Sequence, residues 1–191
     1  MEDQKCPEIL DLPPTQRAVE FLASRLDKRG LAICLSGIDG SGKTTLARQL
    51  VLILNGSGVP VRHLHVYQWH VNVFVTPLRL LYNRYVGRKV LVFDRSIYDN
   101  VAVASIRRTC PRWLSQSALG AVLACYPKFD YRFYLSVAFT EALVRRPGMD
   151  EERFAVLSKA YDEIAGRAHY TRLPSDTHLL AAALRKMASH A

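Results

Sequence analysis

Two periods of apolar residues alternate along this chain, and together they divide it into strands and helices. Leu31 to Leu35, Val90-Leu91-Val92-Phe93 and Phe133 to Val137 are short unbroken apolar runs, the pattern of strands buried on both faces. Val61 to Tyr67 alternates apolar and polar as a second strand, and Thr177 to Leu180 is read as a short last one. Between these runs the spacing is helical. Val19, Leu22 and Leu26 follow the start signal Leu12-Pro13-Pro14 and stop at Lys28-Arg29-Gly30. Thr44 to Leu54 is halted by Asn55-Gly56-Ser57-Gly58, and Pro77 opens a helix with Leu78, Leu81, Tyr82 and Tyr85 along one side. Further helices are predicted over Ser96 to Arg107, Trp113 to Cys125, Phe139 to Arg146, about Asp150 to His169 (Phe154, Leu157, Tyr161 and Ile164 on one face) and Ala182 to His190. Strands alternating with helices predict a three-layer α/β fold, a mostly parallel five-stranded sheet with helices on both faces. In such a sheet ligands sit beyond the carboxyl ends of the strands. That singles out Gly37 to Thr44, Gln68-Trp69-His70 and Asp94-Arg95.

The first of these segments carries chemistry. Gly37-Ile38-Asp39-Gly40-Ser41-Gly42-Lys43-Thr44 fits the phosphate-binding loop G-x-x-x-x-G-K-[ST], and it lies between a predicted strand and a predicted helix as the motif requires. The glycines let the backbone wrap an anion, so that amide groups and the helix N-terminus point at phosphate oxygens. Gly37, Asp39, Gly40, Ser41, Gly42, Lys43, Thr44 and Thr45 therefore form the predicted ATP-binding set, with Lys43 along the β and γ phosphates and Thr44 on Mg²⁺. The motif makes the fold that of a P-loop NTPase.

Charge and cysteine content refine this picture. Lys and Arg number 26 against 17 Asp and Glu, a formal net charge of +9 over 191 residues. The surplus is scattered, with no basic helix and no RNA-binding signature, so it suits an electropositive cleft for ATP and argues against a nucleic-acid partner. Cys6, Cys34, Cys110 and Cys125 show no C-x-x-C spacing and are read as reduced thiols. The chain opens without the apolar region of a signal peptide and holds no run long enough to span a membrane, which predicts a cytoplasmic protein.

The loop Gly37-Ile38-Asp39-Gly40-Ser41-Gly42-Lys43-Thr44-Thr45, the pair Asp94-Arg95, and Tyr134-Leu135-Ser136-Val137 with an Arg-bearing turn behind it resemble the thymidylate kinase family of nucleoside monophosphate kinases. The resemblance runs with gaps from about Leu31 to Met187, leaving residues 1–30 as an N-terminal extension with one helix and 31–191 as the P-loop kinase domain. It implies transfer of the ATP γ-phosphoryl group to a nucleoside monophosphate, with dTMP the family acceptor. It also implies roles. Lys43 would polarise the transferring group, Thr44 and Asp94 would serve Mg²⁺, Asp39 would face the acceptor sugar or a metal-bound water, and Arg95 would clamp the acceptor phosphate. Arg145 and Arg146 stand where the family has its lid and would supply positive charge in the transition state, because the loop carries Gly40-Ser41 where some members have an arginine. Family members are often homodimers, which is the oligomeric state the resemblance implies.

Three departures concern the acceptor. After its second strand the family has Arg-Glu-Pro-Gly-Gly with a phosphate-clamping arginine, whereas this chain has Tyr67-Gln68-Trp69-His70-Val71-Asn72. The family's thymine-reading Tyr-Gln pair is matched by Val103-Ala104, and the lid is shortened to Arg145-Arg146-Pro147-Gly148. Trp69 is the candidate to stack on a base, and Arg79 or Arg84 is the candidate to replace the clamp. His63 and His65 share a strand face, but no cysteine or carboxylate nearby in sequence completes a four-ligand metal set. A different acceptor, such as a deoxynucleoside, and a nucleotide switch or nucleic-acid-associated ATPase remain the other readings. The stretch Val61 to Tyr85 holds no carboxylate to act as a base on a hydroxyl, which weighs against the deoxynucleoside.

Overall fold

The strand at the centre of the molecule is the one that leads into the phosphate loop. The computed structural model describes residues 13–66, 68–107, 116–174 and 178–189. In it, β1 (Leu31–Gly37) is buried along its whole length, as an unbroken apolar run demands. It is flanked by β3 (Val90–Asp94) and β4 (Tyr131–Ser136), with β2 (Val61–Leu64) and β5 (Thr171–Pro174) at the edges; the order is β2-β3-β1-β4-β5 and every pairing is parallel. Alternate residues of β1 face opposite layers. Leu31, Ile33 and Leu35 pack with Ala18, Leu22 and Leu26 of α1 (Pro13–Leu26), Leu46 and Leu50 of α2 (Lys43–Gly56), and Leu180 and Leu184 of α8 (Leu179–Ala188). Ala32 and Cys34 pack on the other side with Phe93, Ile97, Tyr126 and Phe129. A third cluster joins Ile38 and Tyr134 to Ala102 of α4 (Ile97–Arg107), Ala142 of α6 (Phe139–Arg145) and Phe154 and Tyr161 of α7 (Glu151–Arg167). The connection that leaves β1 runs to β2 and β3 on one side, and the one that leaves β3 crosses to β4 and β5 on the other. The crevice this creates at the carboxyl end of β1 is the switch point where α/β sheets bind ligands.

The structure corrects three readings of the apolar pattern. The last strand is Thr171–Pro174, paired with Phe133–Ser136, while of the strand predicted over 177–180 His178 is the residue before α8 and Leu179 and Leu180 belong to it. A four-residue edge strand that buries one leucine, Leu173, leaves no periodic mark. The second strand closes at Leu64, short of the predicted Tyr67, which lies outside the described residues. The third correction concerns α3 (Thr76–Tyr82), which continues at either end into a π turn, Val71–Val75 and Asn83–Gly87. The side carrying Leu78, Leu81, Tyr82 and Tyr85 is turned outward, with Leu78 67% and Tyr85 73% exposed. Asn72, Val73, Thr76, Leu80 and Asn83 face inward instead. Asn72 Nδ2 donates to Asn100 Oδ1 at 3.1 Å, and Asn83 Nδ2 donates to the Lys89 carbonyl at 2.8 Å. Buried amides with partners take the place of a buried apolar stripe.

The helix predicted over Trp113 to Cys125 is described from Gln116 as α5 (Gln116–Cys125), and residues 108–115 lie outside the described residues, as do Cys6 and Cys110. Cys34 and Cys125 are free thiols. Among the described residues no helix is long and apolar enough to cross a membrane.

Candidate active site

Local backbone geometry makes the loop. Gly37 has φ +148°, and a Cβ there would lie 2.5 Å from the Leu135 carbonyl oxygen, so no other residue fits where β1 leaves the sheet beside β4. Gly42, at φ +93°, is the left-handed residue from which α2 starts. Ser41 is buried, and Thr44 and Thr45 lie exposed in the first turn of α2. Lys43 is buried beneath the loop it serves, its Nζ donating to the carbonyls of Gly37 at 2.7 Å and Ile38 at 2.8 Å. Burial pushes the Lys43 ammonium below the usual lysine range, against an opposing pull led by the Asp99 carboxylate.

The end of β3 meets this helix start. Asp94 is fully buried, and its Oδ2 accepts from Thr44 Oγ1 at 2.5 Å and lies 3.3 Å from His65 Nδ1 and 3.9 Å from His63 Nε2. Both histidines on that strand face thus turn toward the carboxylate. Burial pushes the His63 imidazole below its usual range, although Asp94 pulls the other way. Asp94 Oδ1 is buried with no hydrogen-bond partner among the described residues. A hydroxyl oxygen bonded to a carboxylate whose second oxygen has no partner is a donor set suited to a hard cation, so Thr44 and Asp94 fit Mg²⁺.

Arg95, the next residue, takes φ +132°, a backbone region costly for a side-chain-bearing residue, and its mostly buried guanidinium is paired with Asp39. The other oxygen of Asp39 holds Arg146 Nη1 at 3.0 Å. Burial would raise the Asp39 carboxyl, but Arg95, Lys43 and Arg146 together hold it below the usual carboxylate range. The two arginines at the end of α6 therefore part company. Arg146 reaches Asp39, while Arg145 lies over the loop, its Nη1 donating to the Gly40 carbonyl at 3.0 Å and its Nη2 paired with Glu141.

Asp39, Arg95 and Arg146 form one side of a cavity of about 630 Å³ that Trp69 also lines. Trp69 is partly buried against the apolar cluster beneath it, so one ring serves both core and cavity. Arg79 is exposed on α3 and is not among the residues lining this cavity. Arg84 is a correction. Its guanidinium is paired with Asp130 at 3.3 Å and donates to the Lys128 carbonyl, just before β4, at the opposite end of the sheet from the loop. Asp130 also binds Arg29 and the Ala32 amide there, which marks the cluster as a brace for the sheet.

Among the cavity residues that escaped the sequence reading are Asp99, Asn100 and Arg153. Asp99 is buried and accepts from Ser36 Oγ at 2.8 Å, the Ser96 amide at 2.9 Å and the Tyr161 hydroxyl at 3.0 Å. Asn100 follows it on α4, and Arg153 stands in the first turn of α7, where Asp150 caps the helix by accepting from the Arg153 amide at 2.8 Å. The spacing Ser96-x-x-Asp99 is a helix-start signal that could have located Asp99. No sequence signal tied Arg153 to the site.

A parallel five-stranded sheet with this loop at its switch point is the fold of the P-loop NTPases, and kinases are among the solved structures it resembles. Thymidylate kinase from Candida albicans aligns at a TM-score of 0.60 and 15% identity over 85% of this chain and 91% of its own. Polyphosphate kinase 2 from Arthrobacter aurescens TC1 aligns at 0.62 and 14%, over 92% of this chain and 74% of its own. A protein of Pseudomonas aeruginosa PA01 assigned as polyphosphate kinase 2 aligns at 0.66 and 16% over 99% of this chain, which spans 47% of that longer protein. No family model and no curated protein matches the sequence. At such identities the likeness defines the fold, within which this chain is a divergent member.

Proposed function

We propose that the protein is a phosphotransferase that moves the γ-phosphoryl group of ATP to a small phosphorylated acceptor, a nucleoside monophosphate such as dTMP being the first candidate. One observation carries this reading. Ile38 and Asp39 line the cavity, while the Gly37 and Ile38 carbonyls hold Lys43, so a donor on the loop and an acceptor in the cavity would meet across one short stretch of backbone. A switch protein has no need of such a second chamber. In this reading Lys43 and the amides at the start of α2 bind the donor phosphates, and Arg145 lies over the loop as the source of transition-state charge. Mg²⁺, when bound by Thr44 and Asp94, would neutralise phosphate charge. Arg95 and Arg146 exchange Asp39 for the incoming acceptor anion, and Trp69 offers a stacking face to a base. An ionised phosphate needs no general base, so positioning and charge suffice.

A second reading takes support from the two polyphosphate kinase neighbours and from the guanidiniums that line the cavity: a linear polyphosphate as the phosphate-bearing partner. The free thiols Cys34 and Cys125 support a reducing, cytoplasmic setting. The outward side of α3 and its flanking turns supports a homodimer. Phe74, Leu78, Leu81, Tyr82, Tyr85 and Val86 expose on the order of 700 Å² of largely apolar surface, close to the roughly 800 Å² per partner of a stable interface. The reading is tested with Lys43→Ala. Loss of acceptor-dependent ADP formation by at least about 10³-fold, with the thermal midpoint retained, is the expected result, and wild-type turnover would refute the loop's role.

A further inference from the structure

We infer that Arg153 binds the anionic group of the acceptor, replacing the clamp that the segment after the second strand does not provide, and that the acceptor is therefore a phosphate ester and not a free alcohol. The inference rests on the phosphotransferase reading and names the substrate class of that same site. It follows from where each charged group of the cavity is spent. Six line it: Asp39, Asp99, Asp150, Arg95, Arg146 and Arg153. Asp39 is shared by Arg95 and Arg146. Asp99 is held by Ser36, Ser96 and Tyr161, and Asp150 caps α7. The Arg153 guanidinium has no hydrogen bond or ion pair to any described residue.

Its own helix gives it nothing. The residues three and four positions on are Val156 and Leu157, four back is Met149, and three back is Asp150, whose carboxylate already serves the helix cap. The site is also electrostatically poor for a cation. A first helical turn favours Asp and Glu, as Glu151 and Glu152 show, and Arg153 opposes that end of the dipole. An exposed arginine far from any cavity would be ordinary surface. This one faces the chamber that holds the two other guanidiniums, and a guanidinium matches a phosphate monoester as a bidentate donor.

The experiment measures binding and turnover separately, on wild type, Arg153→Ala and Arg153→Lys. Calorimetric titration with nucleoside monophosphates and with their matched nucleosides tests the inference without any need for catalysis. The wild type is expected to prefer a monophosphate to its nucleoside, Arg153→Ala to lose about 10-fold to 100-fold in monophosphate affinity with nucleoside binding unchanged, and Arg153→Lys to recover part of the loss. In turnover the acceptor KM should rise by a similar factor while the ATP KM stays within about 2-fold. Equal affinities of wild type and Arg153→Ala for the monophosphates, equal losses for monophosphate and nucleoside, or a wild type that binds no monophosphate better than its nucleoside would each overturn the inference. Wild-type binding that follows the expected pattern without phosphoryl transfer would instead refute the phosphotransferase reading and leave the anion site standing.

Discussion

Among single residues, Asp99 joins the most distant parts of the site. Its carboxylate ties Ser96, at the start of α4, to Ser36 on β1 and to Tyr161 on α7, 62 positions away. Asp99→Ala would leave the buried Ser96 amide and Tyr161 hydroxyl without that acceptor, while Ser36 keeps the Tyr170 hydroxyl, and urea unfolding should show a loss on the order of 2 kcal/mol or more. A change under about 0.5 kcal/mol would mean that the donors find other partners. Cys34 gives a second check at this scale. Burial pushes its thiol up to about 11, with Asp99 adding to the shift, so it is protonated and shielded at neutral pH. Mass spectrometry after iodoacetamide treatment at pH 8 should find Cys34 unmodified in the native protein and modified after unfolding, with exposed Cys125 labelled in both. The loop residues were legible in the sequence because a covalent spacing, Gly37 to Thr44, encodes them. Asp99 was half legible, through its spacing from Ser96. The roles of Ser36 and Tyr161 were not, since only the folded sheet brings them together.

Among the elements, the end of α6 and the stretch around α3 each place neighbouring residues in different surroundings. Arg145 and Arg146 are adjacent in sequence but diverge because α6 ends between them: Arg145 closes the helix, and Arg146, with a non-helical backbone, turns to Asp39. Arg145→Ala is therefore expected to lower kcat by about 10² to 10³ with little change in ATP affinity, whereas Arg146→Ala should raise the acceptor KM more than it lowers kcat. Equal effects of both variants on both constants, in steady-state kinetics, would mean that the lid acts as one unit. Around α3, a helical apolar period was plain in the sequence but marked the outward side, because Asn72, Thr76 and Asn83 meet the core through amide and hydroxyl bonds. Periodicity reports which residues share a side, and it reports which side is buried only where burial is apolar. The same limit hid β5, a strand too short to show a period.

At the scale of the whole molecule, the parallel sheet and its switch point were legible, since the strand runs, the loop and Asp94-Arg95 occur in the order that such a sheet imposes. The cavity beside the loop was not, because it is assembled from the loop, α4, the turn after α6 and the first turn of α7. The exposed side of α3 predicts self-association. Sedimentation should give a dimer for the wild type and a monomer for Leu78→Asp with Tyr85→Asp, and a wild-type monomer at tens of micromolar would count against the dimer. Phosphoryl transfer between the loop and the cavity is tested stoichiometrically. The protein is incubated with Mg²⁺ and γ-labelled ATP in the presence of nucleoside monophosphates, nucleosides or polyphosphate, and ADP and labelled products are counted separately. One labelled monophosphate product per ADP, absent with Lys43→Ala, is the predicted result. Label released only as inorganic phosphate, whatever acceptor is present, would contradict it.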